Sequence, residues 1–173
     1  VSVMQDTSDN LGYGNSQVAF GNVFGLATIY VGSDSDPVDA IDDITPSAYE
    51  EANGSGSGTL NDIGGLAGNM GIGAKFDLPI LGAVNFKYYP KIDATKNADN
   101  ASSAGANHGV GSGDSITLKT NLADVPMIGS FLDGATLTSG YSSSEVATVA
   151  NTSDAFDATV ALNYSVGSLS LGV

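Results

Sequence analysis

Apolar and polar residues alternate along much of this chain with a period of two. Between Leu66 and Phe76, positions 66, 70, 72, 74 and 76 are Leu, Met, Ile, Ala and Phe. The positions between them hold Ala67, Asn69, Gly71, Gly73 and Lys75. Successive side chains of a strand point to opposite faces, so this segment reads as a strand with one apolar and one small or polar face. Val84, Phe86 and Tyr88 alternate in the same way with Asn85 and Lys87. Further on, Ile116, Leu118 and Leu122 alternate with Thr117, Lys119 and Asn121, and Ala135, Leu137 and Tyr141 with Thr136 and Thr138. The last two runs set Ala158, Val160, Leu162 and Tyr164 against Thr159 and Asn163, and Leu169, Leu171 and Val173 against Ser168, Ser170 and Gly172. The stretch 18–31 is apolar on both faces and long enough for two short strands. Counted so, and leaving out Val1–Met4, which reads as a strand end, the chain holds about eight strands, enough to close a narrow barrel.

The connections alternate in length. Strand 66–76 reaches strand 83–91 through residues 77–82. Strand 115–124 reaches 134–143 through 125–133, and 156–165 reaches 168–173 through Val166-Gly167. Between these hairpins lie long polar segments at 32–65, 93–114 and 144–155. Short turns at one end and long loops at the other are the layout of outer-membrane barrels. Only helices and closed barrels satisfy every backbone polar group in hydrocarbon, and strands of about 9–11 residues suffice to cross at a tilt. The fold expected is therefore all-β: an antiparallel transmembrane β-barrel over residues 1–173, or the central portion of a larger one. No run of about 18 apolar residues is present, so no transmembrane helix is expected. No signal peptide opens the chain; for an exported protein the expectation is that it has been removed.

Composition agrees with this reading. Charged residues make up 14% of the chain and glycine accounts for 23 residues, while Ser, Thr, Asn and Asp crowd the gaps. Scarcity of strong helix formers favours strands joined by turns. The net charge of −14 excludes a nucleic-acid partner, which needs a basic surface. All five cations are lysines, namely Lys75, Lys87, Lys91, Lys96 and Lys119, and cysteine is absent. Neither a disulfide framework nor a thiolate metal site can form.

The polar face suggests candidate site residues. Lys75, Lys87 and Lys119 project opposite the Phe, Leu and Tyr stripe, together with Asn69, Asn85, Asn121 and Asn163. Small residues, amides and a few lysines suit the wall of a wet lumen, whereas an ordinary solvated sheet face is usually rich in Lys, Glu and Thr. Tyr13, Tyr30, Tyr88, Tyr89, Tyr141 and Tyr164 lie near strand ends, where tyrosine sits at lipid headgroup level; tyrosine is also simply a good strand residue. Segment 32–65 is the candidate for a loop folded into the lumen, and an equally ordinary reading leaves it outside and solvated. It carries Asp34, Asp36, Asp39, Asp42, Asp43, Glu50 and Glu51. Facing a lysine-bearing wall, it would set a field across the pore, and the overall acidity predicts cation preference. The same aspartates offer oxygens to a hard cation such as Ca²⁺, but they lack the glycine and spacing of an EF-hand, and solvated acid is the default reading.

At the level of residues the chain resembles a known family. Phe131-Leu-Asp-Gly-Ala-Thr-Leu-Thr-Ser-Gly-Tyr141-Ser-Ser-Ser is similar to a strand of the major outer membrane porins of Campylobacter and its relatives. Phe24-Gly-Leu-Ala-Thr-Ile-Tyr30 is similar to an earlier strand of that type, and Ala158 to Val173 to a later hairpin. The resemblance is one of pattern, with gaps in every loop. It implies a large barrel in the bacterial outer membrane, often a trimer, passing small hydrophilic solutes and ions by passive diffusion, with outer-membrane lipid as its surroundings. Two departures stand out. Such barrels usually end in an aromatic residue where this chain ends at Val173, and many carry constriction arginines where this chain has none. The ragged ends favour the central part of a bigger barrel.

Enzyme readings fail on the residues. His108 is the single histidine and lies in a Ser/Gly/Asn-rich segment, so no triad or zinc site can be assembled around it. Gly54-Ser-Gly-Ser-Gly58 and Gly109-Val-Gly-Ser-Gly113 lack the lysine and the strand-to-helix context of a phosphate loop. Without tryptophan, the acid pairs lack the sugar platforms of a glycosidase. No enzyme is expected. The alternative is a secreted acidic β-rich structural protein, such as a surface-layer or filament subunit. A carbohydrate-binding sandwich is a weaker third reading, because exposed aromatics are few.

Overall fold

The computed structural model describes residues 3–5, 11–13, 16–23, 25, 27–33, 36–41, 44, 66, 68–92, 111–127, 129–145 and 155–172. Eight strands form one antiparallel meander. They are β3 (Gln17–Val23), β4 (Ala27–Gly32), β5 (Gly71–Leu78), β6 (Gly82–Tyr89), β7 (Gly113–Asn121), β8 (Ala135–Ser144), β9 (Ala155–Val166) and β10 (Leu169–Gly172), each paired with its neighbours in sequence. The sheet is not closed, with β3 and β10 as its two edges, and is compatible with part of a barrel. A separate hairpin, β1 (Val3–Gln5) with β2 (Leu11–Tyr13), stands where the sequence pattern gave only a strand end. Among the described residues there is no α-helix, only 3₁₀ turns at Asp39–Ile41, Leu122–Asp124 and Gly129–Phe131.

In an antiparallel meander, successive connections fall on alternate ends of the sheet. Joins β3–β4, β5–β6 and β9–β10 are tight and share one end with the longer β7–β8 join, residues 122–134. Joins β4–β5 and β6–β7 are long and share the other end with β8–β9, residues 145–154, which is shorter than β7–β8. Joins at the first end are held by backbone geometry that glycine permits. Gly167, at φ 59°, opens the two-residue turn between Val166 and Leu169, and Gly134, at φ 84°, ends the β7–β8 join. In the same join, Asn121 Oδ1 accepts from Ala123 N (3.2 Å), capping the first 3₁₀ turn. The β5–β6 and β7–β8 joins also carry a non-glycine residue at positive φ, Ile80 (71°) and Met127 (75°) respectively.

The strand expected at 66–76 begins later, at Gly71. Leu66 keeps the parity of the apolar stripe, but Gly68 at φ 78° breaks the extended run. The Asn69 backbone N–H and its Nδ2 both turn back to the Leu66 carbonyl (3.4 and 3.0 Å). Leu66 thereby leaves the stripe and packs with Tyr89 and Ile92 in the one buried apolar cluster of the described residues.

Residues directly paired in a ladder point to the same face, so the registers divide the sheet into two. One face carries Phe20, Ile72, Phe86, Ile116, Val160 and Leu162, and their equivalents on every strand. Most of these side chains are exposed, Val160 to 70%. The other face carries glycines, hydroxyls, amides and lysines, and the chain itself covers part of it. The buried polar set includes Lys87, Ser115, Thr117, Thr138, Ser142 and Ser144. A water-soluble protein hides apolar and shows polar groups. This sheet does the reverse.

Candidate functional site: the covered face of the sheet

The registers lay the covered face out in rows that cross the strands. Nearest the long loops runs Gly32–Gly71–Tyr89–Gly113–Ser144. Then come Tyr30–Gly73–Lys87–Ser115–Ser142–Asp157, Thr28–Lys75–Asn85–Thr117–Gly140–Thr159 and, nearest the short turns, Asp77–Ala83–Lys119–Thr138–Ala161. Glycines are frequent here because other groups occupy the space a Cβ would need. At Gly73 a Cβ would run into the Tyr30 ring. At Gly113 it would meet the Ile92 and Leu66 side chains. At Gly140 it would lie 2.7 Å from Ile41 Cδ1 and 3.3 Å from Val38 Cγ2. The small residues are the seats of segments lying over the sheet.

The chief of these comprises residues 36–41 and 44, part of the long β4–β5 connection. Asp36, Pro37 and Val38 are fully buried. The Asp36 carboxylate gathers four donors. Oδ2 accepts from Val38 N (2.9 Å), Asp39 N (3.1 Å) and Ser115 Oγ (3.2 Å), while Oδ1 accepts a short hydrogen bond from the Tyr89 hydroxyl. Val38 N is also 3.2 Å from Ser115 Oγ. Farther along, Asn163 Nδ2 donates to the Ile44 carbonyl (2.8 Å). The chain is thus pinned over β6 and β7 at Asp36 and over β9 at Ile44, and Val38 and Ile41 sit on Gly140. It belongs to segment 32–65, for which the sequence left a course inside a lumen and one outside it equally open.

The candidate lumen residues separate into groups. Lys75 and Lys119 stand exposed on this face, with Asn85 half-buried between them. Lys87 lies on the same face but is fully buried, its Nζ 4.9 Å from the Tyr89 ring centre and 5.9 Å from that of Tyr30. The two rings give the buried ammonium cation–π contacts that offset part of its desolvation. Asn121 and Asn163 share the face, but their amides are engaged at the turn and at Ile44 respectively. Asn69 is off the strand altogether, locking the turn before β5. Asp36 is an anchor whose oxygens are filled by protein donors, and Asp39 is half-buried beside it. Asp34, Asp42, Asp43, Glu50, Glu51 and His108 lie outside the described residues. Among the described residues no three His, Cys, Asp or Glu side chains come together as a metal site.

The tyrosines also divide. Tyr88, Tyr141 and Tyr164 belong to the open face, Tyr88 and Tyr164 near its two ends and Tyr141 between them, where it stacks on Phe156 at 6.3 Å between centres. Tyr30 and Tyr89, expected beside them, are instead buried on the covered face. Each contributes its hydroxyl, to Asn85 Oδ1 (2.7 Å) and to Asp36. Parity places them there: both are on the same side of their strands as Lys87 and Lys75. Residue type alone did not distinguish the two roles, but position relative to the lysines does.

Between the seated segment and the sheet, on the short-turn side, a cavity of about 650 Å³ remains. Its lining includes Pro37, Ile41, Lys75, Asp77, Asn85, Thr117 and Lys119. No family model, curated protein or solved structure matches the chain.

Proposed function

We propose that the chain forms a porin-type channel of a bacterial outer membrane, conducting small hydrophilic solutes and ions by passive diffusion. The observation that carries this is the inverted partition of the sheet. Strands β4 to β9 turn large apolar side chains to one uncovered face, while the buried polar and small residues gather on the other. In water such a surface would associate indiscriminately; against lipid it is the low-energy arrangement. Strand lengths of 8, 9, 10 and 12 residues in β6 to β9 suit a tilted crossing of the hydrocarbon layer. Tyrosines at both ends of the open face suit the headgroup levels. Residues 36–41 and 44 then act as the constriction, and the cavity beside them is the passage left open. The net charge of −14 favours small cations in the current.

Reconstitution tests this. Purified protein added to a planar lipid bilayer should give stepwise, ohmic conductance with a reversal potential on the cation side in a salt gradient. Extraction should require detergent, and unheated samples should migrate faster on a gel than boiled ones. A detergent-free soluble monomer, or fibres in plain buffer, would instead return the chain to the secreted structural class.

A further inference from the structure

The cavity beside the seated segment sets a polar floor with two lysines between apolar walls, and we infer that it is a binding subsite for the oxyanion group of a small solute. This rests on the channel reading for its biological setting, but the chemistry is local. Lys75 on β5 and Lys119 on β7 flank β6 and both face the cavity. They are two strands apart and one row apart, which puts their Cα atoms about 12 Å from each other. Their flexible stems let both ammonium groups close on one small solute between them.

The floor between the lysines is Asn85 and Thr117, directly paired neighbours in one row. The Tyr30 hydroxyl donates to Asn85 Oδ1 at 2.7 Å, and Tyr30 is itself 1% exposed. A buried ring therefore occupies the acceptor end of the amide and leaves its NH₂ end for the cavity. Thr117 adds a hydroxyl and is nine-tenths buried, with 7% exposure. Two ammoniums, an amide NH₂ and a hydroxyl suit carboxylate or phosphate oxygens, because charge-assisted bonds to an oxyanion are the strongest such donors make. Asp77 alone opposes them from the lining. The acidity of the whole chain and this donor-rich floor act at different ranges. The long-range field governs which small ions carry the current, and the floor governs which solutes pause in transit.

The test is titration calorimetry of the detergent-solubilised full chain with citrate, and separately with inorganic phosphate, at moderate salt. Lys75→Gln and Lys119→Gln should each weaken binding about tenfold, and the double variant should abolish it. Asp77→Asn should tighten it. Lys91→Gln, exposed and outside the cavity, should leave it unchanged. Comparing citrate with phosphate tells which oxyanion the floor prefers; either supports the subsite. No binding by the wild-type chain, or an equal loss in Lys91→Gln, overturns it. The two readings separate cleanly: conductance without citrate or phosphate binding removes the subsite and leaves the channel, whereas lysine-dependent binding without conductance does the opposite.

Discussion

Asp36 is the hinge pin of the covered face, and replacing it with alanine isolates its contribution. The substitution strips two buried hydroxyls, those of Tyr89 and Ser115, of their acceptor, while Val38 N keeps Ser115 Oγ as a partner. Orphaning buried donors that had served a carboxylate costs on the order of 3–5 kcal/mol, since such terms do not simply add. At about 1.4 kcal/mol per factor of ten, the seated segment should then lift off roughly two to four orders of magnitude more often. The eight-stranded ladder makes no use of Asp36, so the sheet should persist. The chain contains no cysteine, so a single Val38→Cys introduced in both backgrounds reports lifting directly. Val38 is fully buried, and its thiol should react slowly with a maleimide when Asp36 is present. It should react at least tenfold faster when Asp36 is absent, and channel conductance should rise in parallel. If Asp36→Ala keeps its unheated gel mobility while the labelling rate stays the same, the anchoring argument is wrong.

Other outcomes follow from the same geometry. Gly140→Val should crowd Val38 and Ile41 off their seat and raise thiol labelling at position 38 without the loss of any hydrogen bond to Asp36, whereas Gly140→Ala should do so less. Gly73→Ala would bring a methyl against the Tyr30 ring and 2.7 Å from the Phe86 carbonyl; it should destabilise the sheet by about 1–3 kcal/mol in a urea titration. Ile80→Gly should raise stability by about 1 kcal/mol in the same titration, because a β-branched residue at φ 71° is strained where glycine is not. Val160→Lys, on the open face, should cost about 2–4 kcal/mol in a bilayer yet little in plain detergent micelles with loosely ordered tails; equal tolerance in both would argue against lipid contact.

The strands were legible because a period of two survives any sequence noise that does not change parity. Asn85, Lys87, Thr117 and Lys119 could be assigned to one face from their numbers alone, and the registers agree. Parity misled at Leu66, where it continued past the point at which Gly68 turned the chain. It also could not report burial. Lys75, Lys87 and Lys119 are indistinguishable by alternation, and only the overlying segment decides that one is sealed between rings while two face the cavity. Nor did alternation explain the glycines of that face, which read as a smooth wall. The clue available was their spacing opposite bulky apolar residues stranded in a polar loop, Val38 and Ile41 among them. The β1–β2 hairpin was missed because strands of three residues are too short for a period to show.

Because adjacent residues on each strand answer to different surroundings, the two halves of the alphabet along β5 to β9 can drift separately. Odd positions on β5 and β6 negotiate with the overlying segment and the passage, and even ones with whatever lies outside. A single glycine exchanged for alanine at a seat shifts the aperture by one methyl while the outward stripe remains untouched. Under the channel reading proposed above, permeability can therefore be retuned one residue at a time, with no change to the outward stripe.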